Sequence, residues 1–90
     1  MSSTSKKNRN FTSEPMGNKS VTDLAGIGDS LGGRLRDQGF MRADNVVGQY
    51  LLMRRNEDRF TSWLSNASGA NRRQARDCYR CVDDWCQNFM

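Results

Sequence analysis

Histidine is absent from this chain, proline occurs once, and no lysine lies beyond Lys19. Without histidine there is no ordinary general base at neutral pH, no Ser/His or Cys/His nucleophile pair and no Cys/His zinc site. Most familiar hydrolases fall with those groups, and the chain is expected not to be an enzyme and to need no cofactor. No apolar stretch approaches the roughly 18 residues of a membrane span, so no membrane insertion is expected. The opening Met1-Ser2-Ser3-Thr4-Ser5-Lys6-Lys7 has no apolar run behind it, which argues against a secretory signal. No segment sustains the alternation of a strand, so the expected elements are all helical. The three cysteines, Cys78, Cys81 and Cys86, are an odd set. They argue against a disulfide framework and fit a reducing compartment.

What is present fits one small domain over residues 1–90, of 10.3 kDa. A domain of this size is marginal alone, so a dimer is an early expectation. The chain is 36% hydrophobic and 27% charged, with a mean hydropathy of -0.85. It is polar without having the composition of a disordered chain. The net charge of +4 is unevenly spread. Residues 1–20 hold Lys6, Lys7, Arg9 and Lys19 against Glu14, a net +3, whereas residues 21–90 hold ten arginines against nine acids. A basic arm over residues 1–10 on a nearly neutral body suggests a polyanion partner. A solvated tail accounts for the same charges.

The polar start predicts a short helix over about Ser5 to Thr12, stopped before Pro15. Ser20-Val21-Thr22-Asp23 has the form of a capping box and opens a very short helix ending near Leu24. After Ala25-Gly26-Ile27-Gly28, a second helix runs from Asp29 to Gln38, with Leu31 and Leu35 on one face and Gly39 placed beyond its end. Gly32-Gly33 is a poor helix interior, so close packing or close approach is expected there. A third helix covers Met41 to Met53, with Val46, Val47, Tyr50, Leu51 and Leu52 apolar and Arg54-Arg55 closing it. Asn56 caps a fourth, whose Phe60, Trp63 and Leu64 share a face. Asn66 to Ala70 reads as a loop. Asn71 and Gln74 form a looser capping pair for a fifth helix reaching Phe89, with the stripe Ala75, Cys78, Val82, Trp85 and Phe89. The expected fold is all-α: a compact bundle of about five short helices.

Leu24-Ala25-Gly26-Ile27-Gly28 between two helices has the form of a helix-hairpin-helix. Its glycines permit a tight turn and leave no side chain between the backbone and a ligand. The second glycine opens a helix, so free N–H groups and the positive end of the helix dipole point outward, suited to phosphate. Ile27 is expected to plug inward. Such contacts grip phosphate and read no bases. A plain structural turn also produces Gly-x-Gly. Arg72, Arg73 and Arg76 sit at the start of the fifth helix, against the preference of its dipole. An anion partner explains them; so does a solvated face supported by Asp77, Asp83 and Asp84. The cysteines read as buried thiols rather than a metal site, because a lone Cys-x-x-Cys within a helix is an incomplete ligand set. Trp63, Trp85, Phe60 and Phe89 read as core or dimer contacts.

Several stretches together are specific: Glu14-Pro15-Met16-Gly17, Leu24-Ala25-Gly26-Ile27-Gly28, Gly48-Gln49-Tyr50-Leu51, Glu57-Asp58, Gly69-Ala70-Asn71, Arg76-Asp77-Cys78 and Asp84-Trp85-Cys86. On these the chain resembles the barrier-to-autointegration factor family over essentially its whole length. The resemblance implies a homodimer that binds double-stranded DNA without sequence preference, bridges two duplexes and compacts them. It implies action in the nucleus, on chromatin and at the nuclear envelope, with the cytoplasm also open. The implied partners are LEM-domain proteins, lamins and histones. It places Lys7, Gly26, Ile27, Gly28, Ser30, Arg34, Asn71, Arg73 and Arg76 at DNA. It places Val47, Gly48, Gln49, Leu52, Arg59 and Trp63 at the dimer and its partner groove. Ser3, Thr4 and Ser5 fall where the family is phosphorylated, and a phosphate beside Lys6 and Lys7 would repel DNA. Asp44-Asn45, Arg59, Gly33 and Met41 depart from the family pattern, with Arg59 standing in the groove where a leucine is usual. The alternative expectation is therefore a nuclear protein-interaction adaptor of the same fold, with weakened DNA or LEM-domain binding.

Overall fold

The computed structural model describes residues 6–90. The order is α1 (Lys6–Thr12), a 3-10 turn (Val21–Asp23), α2 (Asp29–Asp37), α3 (Ala43–Leu52), α4 (Glu57–Ser68) and α5 (Arg72–Phe89). The all-α expectation holds. Among the described residues, extended pairing is limited to one antiparallel bridge between Ser20 and Arg42.

Local chemistry sets most of the boundaries. Ser20 Oγ accepts from the Thr22 N–H at 3.2 Å and the Ser20 N–H donates to Asp23 Oδ2 at 3.1 Å, so the short 3-10 turn is capped reciprocally. Asn56 accepts from the Arg59 N–H at 2.9 Å to start α4. Asn71 and Gln74 exchange bonds of 2.8 and 2.9 Å to start α5. Gly39 stands just past α2 at φ +93°.

α5 packs against both α4 and α1, and α2 packs against α4 and the 3-10 turn. Ala75, Cys78, Cys81, Val82 and Cys86 of α5 share one core with Phe11, Leu24, Ile27, Leu35, Val46, Phe60 and Leu64. Each such large apolar side chain contributes roughly 1.5–3 kcal/mol by leaving water. Three aromatic rings from three helices meet there. Tyr50 of α3 stands edge-on to Phe60 of α4 at 5.9 Å and lies 5.7 Å from Tyr79 of α5. The Tyr50 hydroxyl donates to the Asp83 carboxylate. Burial, reinforced by that bond, raises the Tyr50 pKa. The Tyr79 hydroxyl donates to the Arg55 carbonyl at 2.8 Å. Gly32 answers the expectation of close packing, because a Cβ there would collide with the Thr22 methyl. Nothing in the structure explains Gly33, which faces open space.

Three expectations need correction. α4 continues through Ser68, so the loop expected over Asn66 to Ala70 shrinks to its last residues. The helix ends only where Gly69 turns left-handed at φ +80°. Ser68 keeps that last turn satisfied: its hydroxyl donates to the Leu64 carbonyl at 2.7 Å and accepts from the Ala70 N–H at 3.2 Å. α3 begins at Ala43 rather than Met41, because the Met41 carbonyl is committed to the Val21 N–H at 3.2 Å. The apolar stripe of α5 leaves the core at its end, where Phe89 is 41% exposed and stacks on Trp85 at 5.2 Å.

Candidate functional site

The hairpin glycines have different physical causes. Gly26 adopts φ +83°, and a Cβ there would collide with the Gln74 carbonyl of α5. It is glycine because the hairpin backbone lies directly on the first turn of α5. Gly28 has φ -93° and ψ -170°, an extended conformation open to any residue. It is exposed, and a Cβ there would meet nothing within 4 Å. Packing does not ask for glycine at this position. Gly28 caps α2 without any side-chain hydrogen bond. The N–H groups of the first α2 turn therefore face outward beside exposed Asp29 and Ser30. Ile27 is fully buried, as expected. Lys7 Nζ donates to the Ile27 carbonyl at 2.6 Å, tying α1 to the hairpin and holding a cation beside it.

Because Gly26 rests on Gln74, the starts of α2 and α5 share one end of the molecule. Arg72, Arg73 and Arg76 are exposed there. Arg76 Nε lies 4.0 Å from Glu57, a weak pair with both side chains half-exposed. Among the described residues, the guanidinium groups of Arg72 and Arg73 have no hydrogen-bond or ion-pair partner. Arg34 is exposed yet committed: its Nη1 donates to the Ser68 carbonyl at 3.0 Å, at the end of α4. The outcome is a surface of free N–H groups, a held ammonium and free guanidinium groups, suited to an anion.

A second surface lies on α3 and the turn after it. Leu52 is 77% exposed, Leu51 38% and Met41 61%. Gly48 and Arg59 are also at the surface, Gln49 is half-buried, and Trp63 is half-buried against Phe40 at 5.1 Å. Val47 instead belongs to the core. Arg54 and Arg55 are left-handed, at φ 58° and 61°.

The family described as "Barrier to autointegration factor" matches residues 2–89. Barrier-to-autointegration factor of Drosophila melanogaster is 56% identical over 90 residues, all of both chains. Barrier-to-autointegration factor B of Xenopus laevis is 53% identical over the same span. The human protein of that name is 48% identical over 87 residues, 97% of this chain and 98% of its own. This chain belongs to the barrier-to-autointegration factor family.

Within this member of the barrier-to-autointegration factor family, several contributors escaped the sequence. The Gln74 carbonyl seats the hairpin, Ser68 takes up Arg34, and Asp83 receives the Tyr50 hydroxyl. Their partners are 48, 34 and 33 residues away in sequence, and no local pattern marks them. Ser3, Thr4 and Ser5 lie outside the described residues. The cysteines are buried, as expected. Burial pushes the Cys78 thiol well up and the Cys81 thiol to about 11, so both carry protons at neutral pH. Among the described residues, no group of three or more Cys, Asp or Glu is placed to hold a metal ion.

Proposed function

We propose that this chain binds double-stranded DNA without sequence preference and, as a homodimer, bridges duplexes to organise chromatin at the nuclear envelope. The role is a non-enzymatic one. The carrying observation is Gly28, a glycine that neither backbone conformation nor packing requires, at the uncapped start of α2. Its use is to let phosphate oxygens reach the α2 N–H groups without a side chain in the way. In this reading Lys7, Ser30, Asn71, Arg73 and Arg76 add to that contact, Lys7 being held at the hairpin by the Ile27 carbonyl. Arg34 contributes from its place on Ser68. Phosphorylation at Ser3, Thr4 or Ser5 would add charge of about -1.5 to -2 beside Lys6 and Lys7 and weaken the grip.

For the dimer, exposed Leu52 with Gly48 and Arg59 supplies the self-contact, and its rim supplies the groove for LEM-domain proteins, with lamins and histones as further nuclear partners. The adjacent exposed Leu51 and Leu52 at the end of α3 support that reading. An adaptor role is the second reading, favoured by Arg59 placing a charge on that surface.

The test is a gel shift on two unrelated duplexes of equal length, with sedimentation of the same protein. Equal affinity for both duplexes, a two-chain mass and a steep loss of binding with salt support the first reading. A folded dimer that shifts neither duplex yet retains a LEM-domain protein supports the adaptor.

A further inference from the structure

Beyond the hairpin, one surface has side chains with no assigned work. Thr61, Ser62, Ser65 and Asn66 of α4 and Arg72 of α5 line a shallow depression of about 330 Å³. Arg72 is exposed with no partner among the described residues. The side chains of Ser62, Ser65 and Asn66 likewise make no hydrogen bond among the described residues. The Thr61 hydroxyl donates to the Glu57 carbonyl at 2.8 Å. This hydroxyl-and-amide end carries no acid. Acids enter only in the adjoining depression, where Glu57 and Asp58 face Arg72 and Arg76.

We infer that the Arg72 end of this groove takes a further phosphate of the same duplex, extending the DNA footprint from the hairpin across the start of α5 onto α4. The inference rests on the DNA-binding reading above. Continuity supports it: Asn71 and Gln74 link Arg72 to the hairpin through the Gly26 contact, so a backbone gripped at Gly28 continues past Arg73 toward Arg72. Chemistry supports it too. A guanidinium flanked by uncommitted hydroxyls and an amide matches a phosphate, and it reads no base. Glu57 and Asp58 set the limit of the footprint, because a phosphate moved toward them meets like charge. Glu57 also draws on Arg76, so it acts against the grip.

The experiment is a salt titration of duplex affinity for wild type, Arg72→Ala and Glu57→Gln, each checked for native circular dichroism. Losing one phosphate contact lowers the slope of log affinity against log salt by about 1. Arg72→Ala is expected to show that change with about a three- to tenfold loss of affinity at low salt. Glu57→Gln is expected to bind more tightly than wild type. If Arg72→Ala keeps the wild-type slope and affinity, the groove is no DNA contact, while the hairpin reading stands and the surface is left to a protein partner. If the folded wild type binds no duplex, both readings fall together.

Discussion

Among the turns that use left-handed backbone, two do so with contrasting residues. At the hairpin Gly26 takes φ +83°, and between α3 and α4 Arg54 and Arg55 take φ 58° and 61°. The difference is what lies outside the turn. Gly26 is pressed onto the Gln74 carbonyl, where no Cβ fits. Arg54 and Arg55 are exposed, so their side chains cost only the backbone preference, of order 1–2 kcal/mol per residue. Hydrogen bonds hold the second turn in place. The Arg55 N–H donates to the Tyr50 carbonyl at 3.0 Å, and the Arg55 carbonyl accepts from Tyr79. One turn is fixed by steric contact between two backbones, the other by bonds to aromatic residues behind it.

The comparison breaks most readily at Gly26. Gly26→Ala adds both an unfavourable φ and an overlap with α5, and should cost about 3 kcal/mol or more. Thermal denaturation would then fall by over 10 °C, taking about 4–8 °C per kcal/mol for a domain of this size. An unchanged melting temperature would mean the hairpin does not rest on α5. The next effect belongs to the other turn. Tyr50→Phe removes the hydroxyl that reaches Asp83 and should lower unfolding free energy in urea by about 1.5 kcal/mol.

Both turns are backed by buried groups that must keep a proton. Cys81, behind the hairpin and bonded to the Ala25 backbone, is raised to about 11 by burial, and Tyr50 and Tyr79, behind the second turn, are also raised. A folded pKa above the unfolded one gives stability that is complete below the unfolded value. It is lost as pH climbs from the ordinary thiol value of 9.0 toward the folded value. Urea midpoints should therefore hold steady to about pH 8.5 and then fall toward pH 11. The smallest effect has the opposite sign. Arg55→Gly relieves the left-handed strain and should stabilise by about 0.5–1 kcal/mol, read from the same urea midpoint.

Local features were legible in the sequence because their causes are local. Ser20 with Asp23, Asn56, and Asn71 with Gln74 announce three helix starts from neighbouring residues, and the Gly-x-Gly hairpin shows itself within five positions. The role of each hairpin glycine was not legible. Gly26 and Gly28 look alike in the chain, yet one is dictated by a helix 48 residues later and the other meets no packing contact and serves only as the N-cap of α2. The end of α4 was misplaced for a related reason: Asn66 and Ser68 favour loops in isolation, but here Ser68 bonds back onto its own last turn and Arg34 reaches the Ser68 carbonyl from α2. The left-handed arginines gave no signal either, since arginine has no preference for that conformation.

The most direct measurement is the duplex affinity of Gly28→Glu beside wild type and Gly28→Ala. All three should stay folded and melt within about 1 kcal/mol of one another, because the space is open and the only intrinsic cost is replacing glycine at the N-cap. Binding to both unrelated duplexes should weaken in Gly28→Ala and vanish in Gly28→Glu, where a side chain and a negative charge stand before the α2 N–H groups. Wild-type affinity in a folded Gly28→Glu protein would contradict the claim that phosphate is gripped at the hairpin.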